Sequence, residues 1–187
     1  MLMSLLMGAT PEDDPAMAER ARKLREEQAR NEKLRLDREL FKADIDLIAR
    51  SKFGKTTYGV PIVKILREKL NRGRIVYGPT VEGDRGGWDG EAIIINEEIR
   101  GQGYPTAVEL VHEGAHALWR KNHPRGKGPP ETREVIIDEE LLARELQLDF
   151  YLELKADYGC PNDAILEIRL ERRKAGTLRQ TIAAQFE

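Results

Sequence analysis

His112 and His116 stand four positions apart, with Glu113 directly after the first, in the run Val111-His-Glu-Gly-Ala-His116-Ala-Leu-Trp119. On an α-helix, residues i and i+4 project from one face, so two imidazoles can offer nitrogen lone pairs to one cation. Glu113 leaves the helix at a different angle. From there its carboxylate can take a proton from a water beside the cation without ligating the cation itself. Zinc lowers the pKa of such a water toward neutrality, and a nearby carboxylate can then act as the base. Gly114 and Ala115 are small enough to let another element pack closely. The chain holds three histidines and this pattern uses two, so the spacing reads as machinery for metal-assisted hydrolysis rather than as two histidines packed on an amphipathic helix.

Zinc at a catalytic centre needs a third protein ligand and keeps its fourth position open. His123 follows seven residues after His116. The extended metzincin pattern HExxHxxGxxH asks for glycine where Trp119 stands and for histidine where Asn122 stands, so His123 reads as a loop residue beside Pro124. The later run Ile136-Ile-Asp-Glu139-Glu140-Leu-Leu-Ala143-Arg-Glu145 offers carboxylates instead. On a helical wheel Glu139 falls among Val135, Leu142, Ala143, Leu146 and Phe150, where a carboxylate is costly unless paired or metal-bound.

Here the chain resembles the gluzincin-like metallopeptidases, in which a second helix supplies a Glu ligand after HExxH, often as E-x-x-A with apolar or aromatic residues a few turns on. Glu140-Leu-Leu-Ala143, followed by Leu146, Phe150 and Tyr151, fits that register. Glu145 with Asp149 copies the thermolysin-type E-x-x-x-D spacing on a less apolar face. The order of preference is Glu140, then Glu139, then Glu145; each could instead be a surface carboxylate paired with Arg144 or Lys155.

The resemblance spans residues 74–157 and implies an α+β, zincin-like fold, with a small sheet packed on the HExxH helix and a second, Glu-bearing helix. It implies His112, His116 and Glu140 as ligands of Zn²⁺, Glu113 as general base, and a protein or peptide as substrate. It also implies that the strand before the HExxH helix, Glu91–Asn96, borders the cleft and pairs with an extended substrate. An oxyanion donor is expected among Tyr104, Tyr151, Tyr158 and His123. The HEGAHA wording and compact size are similar to the metallopeptidase domains of bacterial toxins and effectors. That leaves a narrow-target secreted protease as one alternative, and a zincin-fold binding or regulatory protein with little catalysis as another.

The elements that must position these residues follow from propensity and punctuation. Residues 1–14 are expected to be a flexible N-terminus, with Asp14 as an N-cap. Residues 15–50 form one charged helix, rich in Ala, Glu, Lys, Arg and Leu, whose sparse apolar stripe thickens toward Ile45 and Ile48. That helix could serve a partner. A helix over 60–70, a strand over 74–77, a Gly-rich loop over 78–90 and a strand over 91–96 come next. Helices follow over 106–121, 132–157, 163–173 and 177–187, so that residues 51–187 make up the zincin-like domain. Trp88 reads as a turn residue covering the sheet rather than a cleft wall, and Asp89-Gly90 as turn chemistry. Arg120, Lys121, Arg125 and Lys127 form a basic patch beside the site, read first as a solvated loop with a preference for acidic substrates as the alternative, and Cys160 is read as structural.

Bulk composition narrows the class. With 31 basic and 33 acidic side chains the net charge is −2, which gives no electrostatic reason to expect nucleic acid or an anionic membrane. No run approaches the ~18 apolar residues of a membrane span. The short apolar start lacks a basic flank, so a cleaved signal peptide is not expected. The expected setting is cytoplasmic, or export by a route that needs no signal peptide. A single cysteine fits a reducing compartment.

Overall fold

A computed structural model describes residues 15–124 and 131–186. The expected flexible start over 1–14, its cap Asp14, and the basic residues Arg125 and Lys127 lie outside the described residues. The protein is α+β and mostly helical, with one small sheet. Its helices are α1 (Pro15–Arg50), α2 (Gly59–Asn71), α3 (Tyr104–Asn122), α4 (Arg133–Tyr158), α5 (Ala164–Lys174) and α6 (Leu178–Ala183). The strands are β1 (Ile75–Gly78), β2 (Gly86–Trp88) and β3 (Ile93–Asn96). No described helix is long and apolar enough to cross a membrane.

The chain divides into two units, one ending at Asp37 and a compact one over Arg38–Glu187. In the first, α1 is charged all round and carries local ion pairs such as Glu19–Arg22 and Glu32–Arg35. Leu24 and Leu34 are exposed there. The second unit takes in the rest of α1, whose apolar residues change spacing: Phe41, Ile45 and Ile48 fall on one face and are buried. Phe41 stacks on Tyr77 of β1 with ring centroids 4.3 Å apart.

The sheet order is β1-β3-β2. β1 pairs parallel with β3, Ile75 opposite Ile93, and β2 pairs antiparallel with it, Gly86 opposite Ile95. Ile93 and Ile95 point into the core while Ile94 and Asn96 are half-buried, the alternation of a one-sided sheet. The strand expected to border the cleft is therefore the middle one. The sheet's edges are β1 and β2, and β2 lies inside the segment read from sequence as a Gly-rich loop.

α3 is the hub of the compact unit, in contact with α2, α4, β2 and β3. Gly103, at φ 64°, turns the chain into it, and Pro105 sits in its first turn, where no intrahelical N–H is lost. A Cβ on Gly114 would lie 2.8 Å from Cγ2 of Ile62, so α2 can seat against α3 only because that position has no side chain. α4 starts at Thr132, whose hydroxyl accepts from Val135 N, and ends at Gly159 in the left-handed region, with Cys160 N donating back to Leu154 O.

Candidate metal centre and cleft

α3 seals its Gly114 side under α2 and presents His112, Glu113 and His116 to a cleft of about 550 Å³. The opposite wall is the stretch Gly83–Gly90, which includes β2; α4 and α5 supply the remainder. The two imidazoles stand nearly perpendicular, at 83°, with Nε2 atoms 3.1 Å apart. Glu140 on α4 completes a triangle: its Oε2 lies 3.2 Å from His116 Nε2 and its Oε1 3.7 Å from His112 Nε2. Four ligands around zinc at ~2.1 Å are separated by about 3.4 Å, so these spacings suit a shared cation. One ligand atom from each of the three residues lies within 4.8 Å of the others, and the group could hold a metal ion. His116 and Glu140 keep 16% and 14% of their side-chain surface, so the convergence point is reached from the cleft.

Glu139, its neighbour in sequence, turns elsewhere. Its Oε1 lies 2.9 Å from His116 Nδ1, and Arg120 Nε donates to the same oxygen at 3.1 Å. Arg120 also pairs with the second Glu139 oxygen and with Glu131. A carboxylate on the far nitrogen of a ligating histidine fixes the tautomer, and Nε2 is thereby left as the lone-pair donor. Glu140 is steadied in turn by Arg144 one helical turn on, Nε to Oε1 2.6 Å. Glu145 pairs with Arg173 of α5 at 2.6 Å and takes no part in the cleft.

The titration of the cluster reflects its crowding. Burial and the charge of Arg144 hold His112 well below its ordinary pKa. Burial works against charge on His116 as well, but the Glu139 and Glu140 carboxylates outweigh it and push that ring up to about 9. Burial works to raise Glu140, yet His116, His112 and Arg144 keep its carboxyl well below the usual range. The arrangement calls for positive charge at the point where the three side chains meet, and a divalent ion there would displace the His116 proton.

Glu113 stands apart from the triangle. Burial pushes its carboxyl up to about 8, with Glu109 and Glu140 adding to the rise and His116 opposing it. It faces β2 so closely that a Cβ on Gly86 would fall 2.8 Å from Glu113 Oε1. It lines the cleft without belonging to the group of side chains that converge.

Other expectations meet the structure unevenly. His123 stacks on Trp119 at 4.3 Å and its Nδ1 lies 3.1 Å from Trp119 O, away from the centre, in keeping with a loop residue. None of the expected oxyanion donors lines the cleft. Tyr104 donates to Tyr158 O, and Tyr151 is fully buried, donating to Glu167 and accepting from Asp163 N. Trp88 is not a turn residue; it belongs to β2 and walls the cleft. Asp89 does serve the turn, its Oδ1 accepting from Glu91 N and Ala92 N at 2.8 and 2.7 Å. Sequence reasoning missed Arg144, Arg169 and Glu109 as cleft residues, and it placed Arg120 beside the site but as part of a solvated patch, whereas Arg120 lines the cleft and is paired with Glu139 and Glu131. Helical spacing could have placed three of the four in the cleft: Arg120 is four after His116, Arg144 four after Glu140, and Glu109 four before Glu113.

No protein-family model matches the chain, and no curated protein or solved structure matches it.

Proposed function

We propose that this protein is a zinc-dependent peptidase with a zincin-like active site, cleaving protein or peptide substrates within the chain. The observation that carries the reading is the meeting of His112 Nε2, His116 Nε2 and a Glu140 carboxylate at one solvent-reachable point, with the separate Glu113 side chain lining the same cleft. Two nitrogens and one oxygen with an open fourth side form the donor set of hydrolytic zinc enzymes, whereas calcium and magnesium ask for oxygen. When bound, the ion would supply Lewis acidity, lowering the pKa of a water and polarising the scissile carbonyl.

The protein's own residues account for the other steps. Glu113 takes the proton of the attacking water at its carboxylate, and the acid so formed delivers it to the leaving amine nitrogen. A bound cation would favour the ionised form that accepts the proton, while burial favours the acid form that passes it on. Glu139 holds the His116 ring through Nδ1. β2, with its outer edge unpaired among the described residues, offers backbone groups to an extended peptide, and Gly86 lets that backbone approach Glu113. Arg144 directs Nε at Glu140, and its other N–H groups, on the cleft wall, are candidates for stabilising the oxyanion.

The test is zinc content and cleavage of an unfolded protein substrate by the full chain, with Glu113→Gln alongside. Near-stoichiometric zinc in both proteins is expected, with cleavage falling about 10²- to 10⁴-fold in the variant. Protein that binds no zinc, or cleavage unchanged in Glu113→Gln, would overturn the proposal.

A further inference from the structure

We infer that the end of the cleft formed by Arg169, Arg85 and Ile165 is a carboxylate subsite, selecting substrates with an anionic group beside the bond that is cut. That group is an aspartyl or glutamyl side chain or a terminal carboxylate, and the inference rests on the peptidase reading above.

Four arginines line the cleft: Arg85, Arg120, Arg144 and Arg169. Three of them are committed to carboxylates of the chain, Arg85 to Asp163, Arg120 to Glu139 and Glu131, and Arg144 to Glu140. Arg169, on α5, has no carboxylate partner among the described residues. Its contact is Nη1 to the amide oxygen of Gln147, at 3.0 Å. Gln147 is fully buried on α4, so it fixes the guanidinium in place without neutralising it. Glu109 is buried close enough to feel the field of Arg169, yet among the described residues the two form neither an ion pair nor a hydrogen bond. Burial and the repulsion of Arg144 draw the Arg169 guanidinium down to about 10, which still leaves it charged at neutral pH.

A half-buried guanidinium with a single neutral partner is an expensive arrangement unless an anion arrives to complete it. Arginine presents five N–H donors in a rigid plane, and with one engaged by Gln147 the others retain a fork that fits a carboxylate. Ile165 lines the same end and offers an apolar wall to the methylenes that carry a glutamyl carboxylate. Arg169 lies within the field of Arg85, which directly precedes β2, whereas Trp88 closes the other end of that strand. The charge therefore lies toward one end of a peptide laid along β2, and the preference falls at one substrate position rather than along its whole length.

The experiment uses the zinc-loaded full chain with paired peptides that carry Glu or Gln at each position flanking the cleaved bond. A second pair bears a free or an amidated C-terminus. Matching Glu and Gln peptide hydroxamates report binding by calorimetry, independently of turnover. A Glu-over-Gln ratio of roughly tenfold to a hundredfold at one position is expected in both measurements. A preference confined to the free C-terminus assigns the subsite to the terminal carboxylate instead. Arg169→Gln should bring the ratio near one while zinc content is retained; Arg169→Lys, which keeps charge but not the fork, should fall between. Cleavage with no acid preference sinks the subsite and leaves the peptidase reading intact. Glu-selective hydroxamate binding with no cleavage of any peptide keeps the subsite and sinks the peptidase reading. A preference that survives Arg169→Gln, or a phosphoseryl peptide that outcompetes the glutamyl one, also overturns the inference.

Discussion

A carboxylate that meets an imidazole at Nε2, where a cation would sit, acts on it differently from one that meets Nδ1. Glu140 does the first and Glu139 the second, from adjacent positions on one helix. Truncating them should therefore give graded losses. Glu140→Ala removes a donor and is expected to end stoichiometric zinc retention, whereas Glu139→Gln leaves three donors and should weaken affinity about 10- to 100-fold. Competition against a chelator of known affinity separates the two; equal losses would mean that the carboxylates share one task. At this scale the sequence was informative for the histidines, because helical periodicity alone makes i and i+4 converge. It could not divide the roles of Glu139 and Glu140, which differ by one step of helix rotation and depend on where α4 lies against α3.

Among the elements, the least legible was β2. Gly86-Gly87-Trp88 has neither the alternation nor the β-branched residues that mark a strand, and glycine is a poor strand former. It is extended because β3 supplies partners for its backbone, a fact of pairing rather than of local propensity. The helices, by contrast, were readable to within a few residues, since caps and glycine stops are local signals. The close contacts at Gly86 and Gly114 allow tests of different kinds. Gly86→Ala would press a methyl against Glu113, and is expected to lower cleavage severalfold while zinc content holds. Gly114→Val would press a branched side chain into Ile62 and should lower stability by about 1–3 kcal/mol, read as a fall in Tm. A Gly86→Ala variant that lost zinc as well would show β2 to be part of the scaffold of the centre rather than a wall facing Glu113.

On the scale of the whole compact unit, Asp44 sets a pH dependence remote from the cleft. It is buried on α1 at 6% exposure, and burial pushes its carboxyl up from 3.8 to about 7. The folded state thus holds a proton that the unfolded chain has already released. The sign follows: this contribution to stability is complete below about pH 4 and is lost as pH rises toward 7. The full span is on the order of 4 kcal/mol. Asp44→Asn should flatten that slope, so urea midpoints measured at pH 5 and pH 8 should lie closer together in the variant than in the parent. A parallel shift in both proteins would assign the slope to other groups.

The helix that bears His112, Glu113 and His116 is also the one closed in by α2, α4 and the sheet, with Ala107 to Ala115 buried without interruption. Its backbone amides are expected to be among the slowest to exchange with deuterated solvent, because reaching them means opening the core of the unit. Motion that admits and releases a substrate is then expected in the opposite, glycine-rich wall, with the α3 side as a fixed anvil.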